Sequence, residues 1–165
     1  MKKVAFVVTL SLVLTLSACS REIHYPDYVQ DLCGLDISGS VVVSNEDSHG
    51  GFFGEGALIV EFDCLQILDA VTQQVKSWNA LPLTGNLQLI MYGGTREGVS
   101  YDGYNLAERY GIPEITNGYY FFCDRHSGTV KTDDDSSLFD RASYNFSLVI
   151  YDMDTARPYL FEFDT

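Results

Sequence analysis

The sequence predicts an α+β domain, built mainly on an antiparallel sheet of about six strands with one principal helix packed on a face. Several segments alternate apolar and polar residues, the pattern of half-buried strands. The 165-residue chain holds eleven tyrosines and ten phenylalanines, and aromatic residues favour strands. Only one long segment has helical spacing, and the length suits a single domain of ~100–200 residues.

The predicted strands follow one another along most of the chain. They cover residues 39–44, 57–62, 87–92, 118–124, 144–152 and 157–164. In the last two, Phe146 and Leu148 share one face, as do Phe161 and Phe163. The residues MDTA between them suit a tight turn, so we expect an antiparallel hairpin.

The principal helix is predicted between the second and third strands. Its apolar residues fall three or four positions apart, which places them on one side of a helix; they are Cys64, Ile67, Leu68, Val71 and Val75. Asp63 precedes this stripe as a capping residue, and Pro82 prevents continuation. A shorter helix is predicted over 103–110, with Gly111 as its C-terminal stop.

The N-terminus carries an export signal, MKKVAFVVTLSLVLTLSAC. Two lysines precede an apolar run over 4–16, which is too short for a membrane span of ~20 residues but suits a signal peptide. Leu16-Ser17-Ala18-Cys19 resembles the lipobox of bacterial lipoproteins. That resemblance implies cleavage before Cys19 and attachment of lipid to its sulfur.

The predicted organisation follows from this signal. Residues 1–18 form a lipoprotein signal peptide, 19–37 hold the lipidated cysteine and a tether, and 38–165 form a single α+β domain. Two acyl chains hold a protein stably on a bilayer, whereas one is marginal. We therefore expect a lipid-anchored protein on the extracytoplasmic face of the cell membrane.

The charge balance limits the classes of partner. The formal net charge is −13, and removal of Lys2 and Lys3 leaves 8 basic and 23 acidic side chains. Such a surface repels nucleic acid, which we exclude as a partner. A protein or glycan partner is expected instead, besides the membrane reached through the anchor.

Three cysteines remain when Cys19 is lipidated: Cys33, Cys64 and Cys123. Three thiols allow at most one bridge, and an exported protein can form one. Because no CxxC spacing occurs and two of these residues lie in apolar surroundings, we expect no essential disulfide.

Much of residues 39–165 resembles a family of small proteins of Gram-positive bacteria, many of them lipoproteins with no assigned activity. The residues that carry this resemblance are HGGFFGEG, Trp78 with the following Leu81-Pro82, and the C-terminal third from NGYYFFCDRHSGTV onward. In that family the glycine loop often reads nearer GGFHGDG. Phe53 therefore stands here in place of a second histidine, and Glu55 in place of aspartate, which weakens a metal site implied by the family.

The loop EDSHGGFFGEG, residues 46–56, holds the first candidate ligands: Asp47, His49 and Glu55. Imidazole and carboxylate groups beside flexible glycines could bind a divalent cation. The alternative is a hairpin connection whose glycines supply positive φ angles. No fixed metal-ligand spacing such as HExxH is present, so the turn is favoured and no cofactor is expected.

Asp124 and His126 follow the strand at 118–124 and form the second cluster. Residues at a strand end can meet a neighbouring loop, and with His49 and Glu55 they would supply an acid–base or metal constellation. The alternative is ordinary surface charge. A GxSxG nucleophile elbow is missing from the sequence, which excludes the esterase reading of His49-Gly50-Gly51.

Tyrosines supply a possible interaction surface, because they exceed what a small core needs; they are Tyr101, Tyr104, Tyr110, Tyr119 and Tyr120. The sequence thus favours a binding or interaction module, and no catalytic residue is assigned. One alternative is a metal-dependent hydrolase that uses the His49/Glu55 loop with Asp124/His126. Another is an envelope structural or inhibitor-type module that acts through its sheet.

Overall fold

The computed structural model describes residues 23–50, 54–129 and 131–165. A six-stranded antiparallel sheet with a few helices confirms the predicted α+β class. The predicted signal peptide and the predicted lipid-attachment residue, Cys19, lie outside the described residues. No helix in the described part of the chain is long and apolar enough to cross a membrane.

Four helices and eight strands make up the described fold. The helices are α1 (Tyr25–Cys33), α2 (Leu68–Val75), α3 (Gly85–Tyr92) and α4 (Leu106–Arg109), with a 3₁₀ turn at Leu65–Ile67 before α2. The strands are β1 (Val41–Asp47), β2 (Gly56–Asp63), β3 (Asn79–Ala80), β4 (Thr95–Arg96), β5 (Val99–Ser100), β6 (Gly118–Asp124), β7 (Asn145–Asp152) and β8 (Arg157–Asp164).

The main sheet has the order β1-β2-β8-β7-β6-β3, and β4 and β5 form a separate hairpin. Every neighbouring pair in the main sheet is antiparallel. The predicted C-terminal hairpin is confirmed, since β7 and β8 pair in register from Asn145↔Asp164 to Asp152↔Arg157.

Both faces of the sheet are covered, so the central strands β7 and β8 are buried on both sides. The first face carries Phe146, Leu148 and Phe161 and packs against α3 and α4. The second face carries Val149 and Leu160 and packs against α1 and α2. This double coverage explains why apolar residues occupy both alternating sets of these strands.

The predicted tether over 19–37 is wrong from Tyr25 onward, because this segment belongs to the folded domain. The helix α1 ends at Gly34, which adopts a left-handed φ of 75° and donates its N–H to the Gln30 carbonyl at 2.9 Å. Three apolar residues of the segment are buried on the second face: Val29, Leu35 and Ile37. The domain therefore begins before residue 38.

The predicted strand at 87–92 is also wrong, since these residues lie in α3. Leu87, Ile90 and Met91 are buried at helical spacing. The first turn of α3 is stabilised by a residue far away in the sequence. The Leu87 N–H donates to the Asp135 carboxylate at 3.2 Å. Asn86 also donates its side-chain amide to the Asp135 carbonyl at 2.8 Å.

The predicted principal helix forms in two parts, the 3₁₀ turn and α2. Of the predicted stripe, Cys64, Val71 and Val75 are fully buried on the second face. Ile67 is partly buried there, but Leu68 is 38% exposed. Asp63 accepts the Leu65 N–H at 2.9 Å, but the N-cap position of the 3₁₀ turn is Cys64 and no side-chain capping bond is present there. The predicted helix over 103–110 is reduced to the four residues of α4.

Candidate functional site

The glycine loop continues the hairpin between β1 and β2. The Gly50 N–H donates to the Glu55 carbonyl at 3.2 Å, and these two residues form an antiparallel bridge. Gly56 is required here, because a Cβ at that position would lie 2.5 Å from the Cα of His49. Glu55 is thus held through its backbone and is exposed. Phe53 lies outside the described residues.

His49 lies between two carboxylates. Its Nδ1 is 2.7 Å from Asp47 Oδ1, and its Nε2 is 3.0 Å from Asp164 Oδ2. The backbone N–H of His49 also donates to Asp47 Oδ1 at 2.9 Å, and this bond holds the Asp47 pKa below its usual value. The two carboxylates occupy opposite ring nitrogens, so they do not converge with the imidazole on one point.

Arg125 joins Asp164 to Glu162. Its Nη2 lies 3.0 and 3.1 Å from the two Asp164 oxygens, and its Nε lies 3.7 Å from Glu162 Oε1. Burial alone would lower the pKa of this guanidinium, but the charges of Glu162 and Asp164 outweigh burial and raise it. Arg125 is therefore a permanent cation whose charge is matched by two carboxylates.

Glu162 is a buried carboxylate on the second face. Its Oε1 accepts hydrogen bonds from the Tyr28 hydroxyl at 2.7 Å and the Ser147 hydroxyl at 2.5 Å. Burial and the bond to Glu162 raise the pKa of Tyr28. Because Tyr28 belongs to α1, this contact fixes α1 to β8, and a buried carboxylate needs such donors.

We call this connected set the Arg125 network; its members are Tyr28, Asp47, His49, Arg125, Ser147, Glu162 and Asp164. The sequence prediction included only Asp47 and His49 of this set. The sequence could have pointed to Glu162, because it lies in an otherwise apolar strand and a carboxylate in a strand buried on both faces must have a partner. Nothing in the sequence pairs that carboxylate with Tyr28, which lies 134 residues away.

Asp124 points to the first face, away from the Arg125 network. Its side chain is 0% exposed and is held by Arg141, with Nη1 at 2.7 Å and Nη2 at 2.9 Å from its two oxygens. The Thr129 hydroxyl donates to the same carboxylate at 2.8 Å. Burial would raise the Asp124 pKa, but the bonds from Arg141, Thr129 and the His126 N–H outweigh it and lower that pKa.

The two predicted clusters do not meet among the described residues. His126 donates its N–H to Asp124 at 3.1 Å and accepts the Gly128 N–H on Nδ1 at 3.2 Å. His49 instead contacts carboxylates on the second face. The convergence of Asp124 and His126 with His49 and Glu55, which the metal or acid–base alternative required, is not found in the described structure, since Asp124 binds Arg141 and His49 binds Asp164.

The described ranges contain no group of three or more histidine, cysteine, aspartate or glutamate side chains placed to hold a metal ion. Of the predicted ligands, Asp47 binds His49 and Asp124 binds Arg141. Glu55 is exposed, and His126 accepts the Gly128 N–H on its ring. Cys33, Cys64 and Cys123 are free thiols, and Cys64 is fully buried.

The predicted tyrosine surface is mostly packed into the domain. Tyr120 is buried, Tyr104 and Tyr110 pack against the first-face core, and Tyr119 packs against the second. Tyr101 is partly buried and lies against Phe139, with ring centroids 4.8 Å apart. These tyrosines therefore do not form an open aromatic face.

No family model, no curated protein and no solved structure matches the chain.

Proposed function

We propose that this chain is an extracytoplasmic lipoprotein, anchored through Cys19, whose domain binds another macromolecule and does not catalyse a reaction. The lipobox and the short apolar leader support the anchor. The acidic balance of the chain supports a partner that is neither nucleic acid nor an anionic surface.

The observation that carries the binding role is the open edge strand β1. It ends the main sheet, and on its outer side no strand of the described chain pairs with it. Six of its seven residues are exposed, including Val41 at 63% and Val43 at 47%. Exposed β-branched residues on an open edge suit pairing with another chain.

The alternative role as a metal-dependent hydrolase has less support. It needs His49, Glu55, Asp124 and His126 in one place, whereas Asp124 is neutralised by Arg141 and His49 lies between Asp47 and Asp164. The second alternative is an envelope structural or inhibitor-type module that acts through its sheet, and its inhibitor form is one case of the proposed binding function.

Photo-crosslinking in intact cells tests the binding role. A benzophenone amino acid at Val43 should give a discrete adduct with an envelope component. The matched control is Val99, which is 55% exposed in the β4–β5 hairpin and should give none. The absence of any adduct at Val43, or the same adducts at both positions, would refute binding through β1.

Lipid labelling tests the anchor. Cys19→Ala should abolish incorporation of radiolabelled palmitate and release the protein from the membrane fraction. Cys33→Ala is the matched control, since Cys33 lies in α1, and it should keep both properties. Labelled lipid on the Cys19→Ala protein would overturn the lipobox assignment.

A further inference from the structure

The edge strand β1 separates two recesses, one on each face of the sheet. Its pairing with β2 places Ser44 and Glu46 on the first face, opposite Glu61 and Ile59. Val42 and Asn45 lie on the second face, opposite Phe62 and Val60. A strand added to β1 would therefore direct successive side chains alternately into the two recesses.

The first-face recess, which we call the Glu46 pocket, has a volume of about 140 Å³, and its lining includes Ser44, Glu46, Ile59, Glu61 and Tyr159. This volume suits one side chain and is below the ~300 Å³ of small-ligand sites. Arg157 already pairs with Glu61. Among the described residues, no hydrogen bond or ion pair engages the Glu46 carboxylate, so it is available to a cation.

The second-face recess, which we call the α1 groove, is larger, with a volume of about 560 Å³. Its lining combines apolar residues with polar ones: Ile23, Tyr25, Pro26 and Val42, and His24, Ser38, Ser40 and Asn45. Ile23 is 53% exposed. An apolar side chain from a partner would bury this surface and gain ~25 cal/mol for each Å² removed from water.

The chain itself is a poor occupant of this edge. A second copy of β1 would bring Val41–Asp47, which contains two carboxylates and no cation, to a surface of the same charge. A partner of opposite charge is favoured by the net charge of −13.

Resting on the proposed binding function, we propose that β1 binds an extended segment of a partner protein in which cationic and apolar side chains alternate. The segment adds to the sheet as a further strand. Its lysine or arginine side chains enter the Glu46 pocket, and its apolar side chains enter the α1 groove. Main-chain hydrogen bonds to β1 supply affinity, and the two recesses select the sequence.

Fluorescence anisotropy on the full-length protein in a mild non-ionic detergent tests this proposal. The probe is a fluorescein-labelled peptide of about seven residues, the length of β1, which alternates lysine and valine. A peptide of the same composition with its lysines and valines in separate blocks should bind about tenfold more weakly. A peptide that alternates glutamate and valine should not bind.

Matched variants locate the binding. Glu46→Lys should weaken the alternating peptide about tenfold or more, and Ile23→Ser should weaken it several-fold. Glu114→Lys makes the same charge change beside Pro82 and Thr116, near the opposite edge of the sheet, and should have little effect. Equal binding of the alternating and block peptides, or equal loss in the Glu46→Lys and Glu114→Lys proteins, would overturn the proposal.

Two further outcomes separate this inference from the proposed function. An adduct at Val43 in cells, combined with no peptide binding, would refute the recognition pattern and leave the binding role in place. Sedimentation that shows a dimer without peptide, dissociated by Glu46→Lys, would assign the edge to a second copy and overturn the proposal.

Discussion

Replacing Arg141 by methionine tests how the buried carboxylate of Asp124 is held. Asp124 ends β6 with a fully buried side chain, and both of its oxygens accept hydrogen bonds from Arg141. Methionine keeps an unbranched but shorter chain and removes the charge and both donors. The variant leaves Asp124 buried with the Thr129 hydroxyl and the His126 N–H as its remaining donors.

The expected cost follows from this geometry. Removing one partner of a buried ion pair costs about 3–5 kcal/mol, because the other charge stays desolvated. The two remaining donors and protonation of Asp124 reduce this cost, so we expect Arg141→Met to lower the free energy of unfolding by about 3 kcal/mol at pH 7. For a domain of this size, that loss lowers the melting temperature by about 10 °C.

The pH dependence has a defined sign. Because the Asp124 pKa is lowered in the folded protein, its contribution to stability is present above the unfolded value of about 3.9 and is lost as the pH falls through the folded pKa. Without Arg141 the folded pKa rises. The difference in unfolding free energy between the Arg141→Met and wild-type proteins should therefore shrink as the pH falls from 7 towards 3.

Urea denaturation at several pH values measures both quantities. The control is Arg109→Met, which removes an exposed arginine whose contact is the Gly103 carbonyl and should change stability by less than about 0.5 kcal/mol. A loss below about 1 kcal/mol for Arg141→Met, or a loss that stays constant with pH, would refute the role assigned to this pair.

Three further predictions concern the second face and the thiols. Tyr28→Phe should lower the free energy of unfolding in urea by about 1–2 kcal/mol, since it removes a donor to the buried Glu162; an unchanged midpoint would contradict this. Burial raises the pKa of Cys33 to about 11 and that of Cys64 to about 12. Iodoacetamide at pH 8 should therefore modify both thiols slowly until urea unfolds the protein. Rapid labelling of the folded protein would contradict the burial of these thiols. Added divalent ions should shift the melting temperature of wild type and His49→Ala equally; a stoichiometric metal lost in the variant would restore the metal-site alternative.

The parts of the fold that could be predicted depend on local patterns. The C-terminal hairpin could be predicted because Phe161 and Phe163 alternate regularly and a short turn precedes them. The segment at 87–92 could not, since its dense apolar residues fit both helical and strand periods. Its helix is stabilised by Asp135, 48 residues from Leu87, and sequence spacing does not show that contact.

In the candidate site, too, contacts between residues close in sequence could be predicted, and contacts that depend on strand pairing could not. Asp47 and His49 are only two residues apart in the sequence, so the loop sequence suggested their contact. The contact of His49 with Asp164 spans 115 residues and depends on β2 pairing with β8. The opposite directions of Asp124 and Arg125 follow from strand alternation, but the face that each would meet depends on which helices cover the sheet.

Amide hydrogen exchange by NMR, on the full-length protein in detergent with and without the alternating lysine–valine peptide, tests binding through the β1 edge most directly. If a strand adds to β1, peptide should slow exchange at those amides of Val41–Asp47 whose N–H groups point to the open side of the strand. Amides of the exposed hairpin Thr95–Ser100 should be unchanged. Protection spread over both regions, or no protection in β1 at saturating peptide, would contradict binding through this edge.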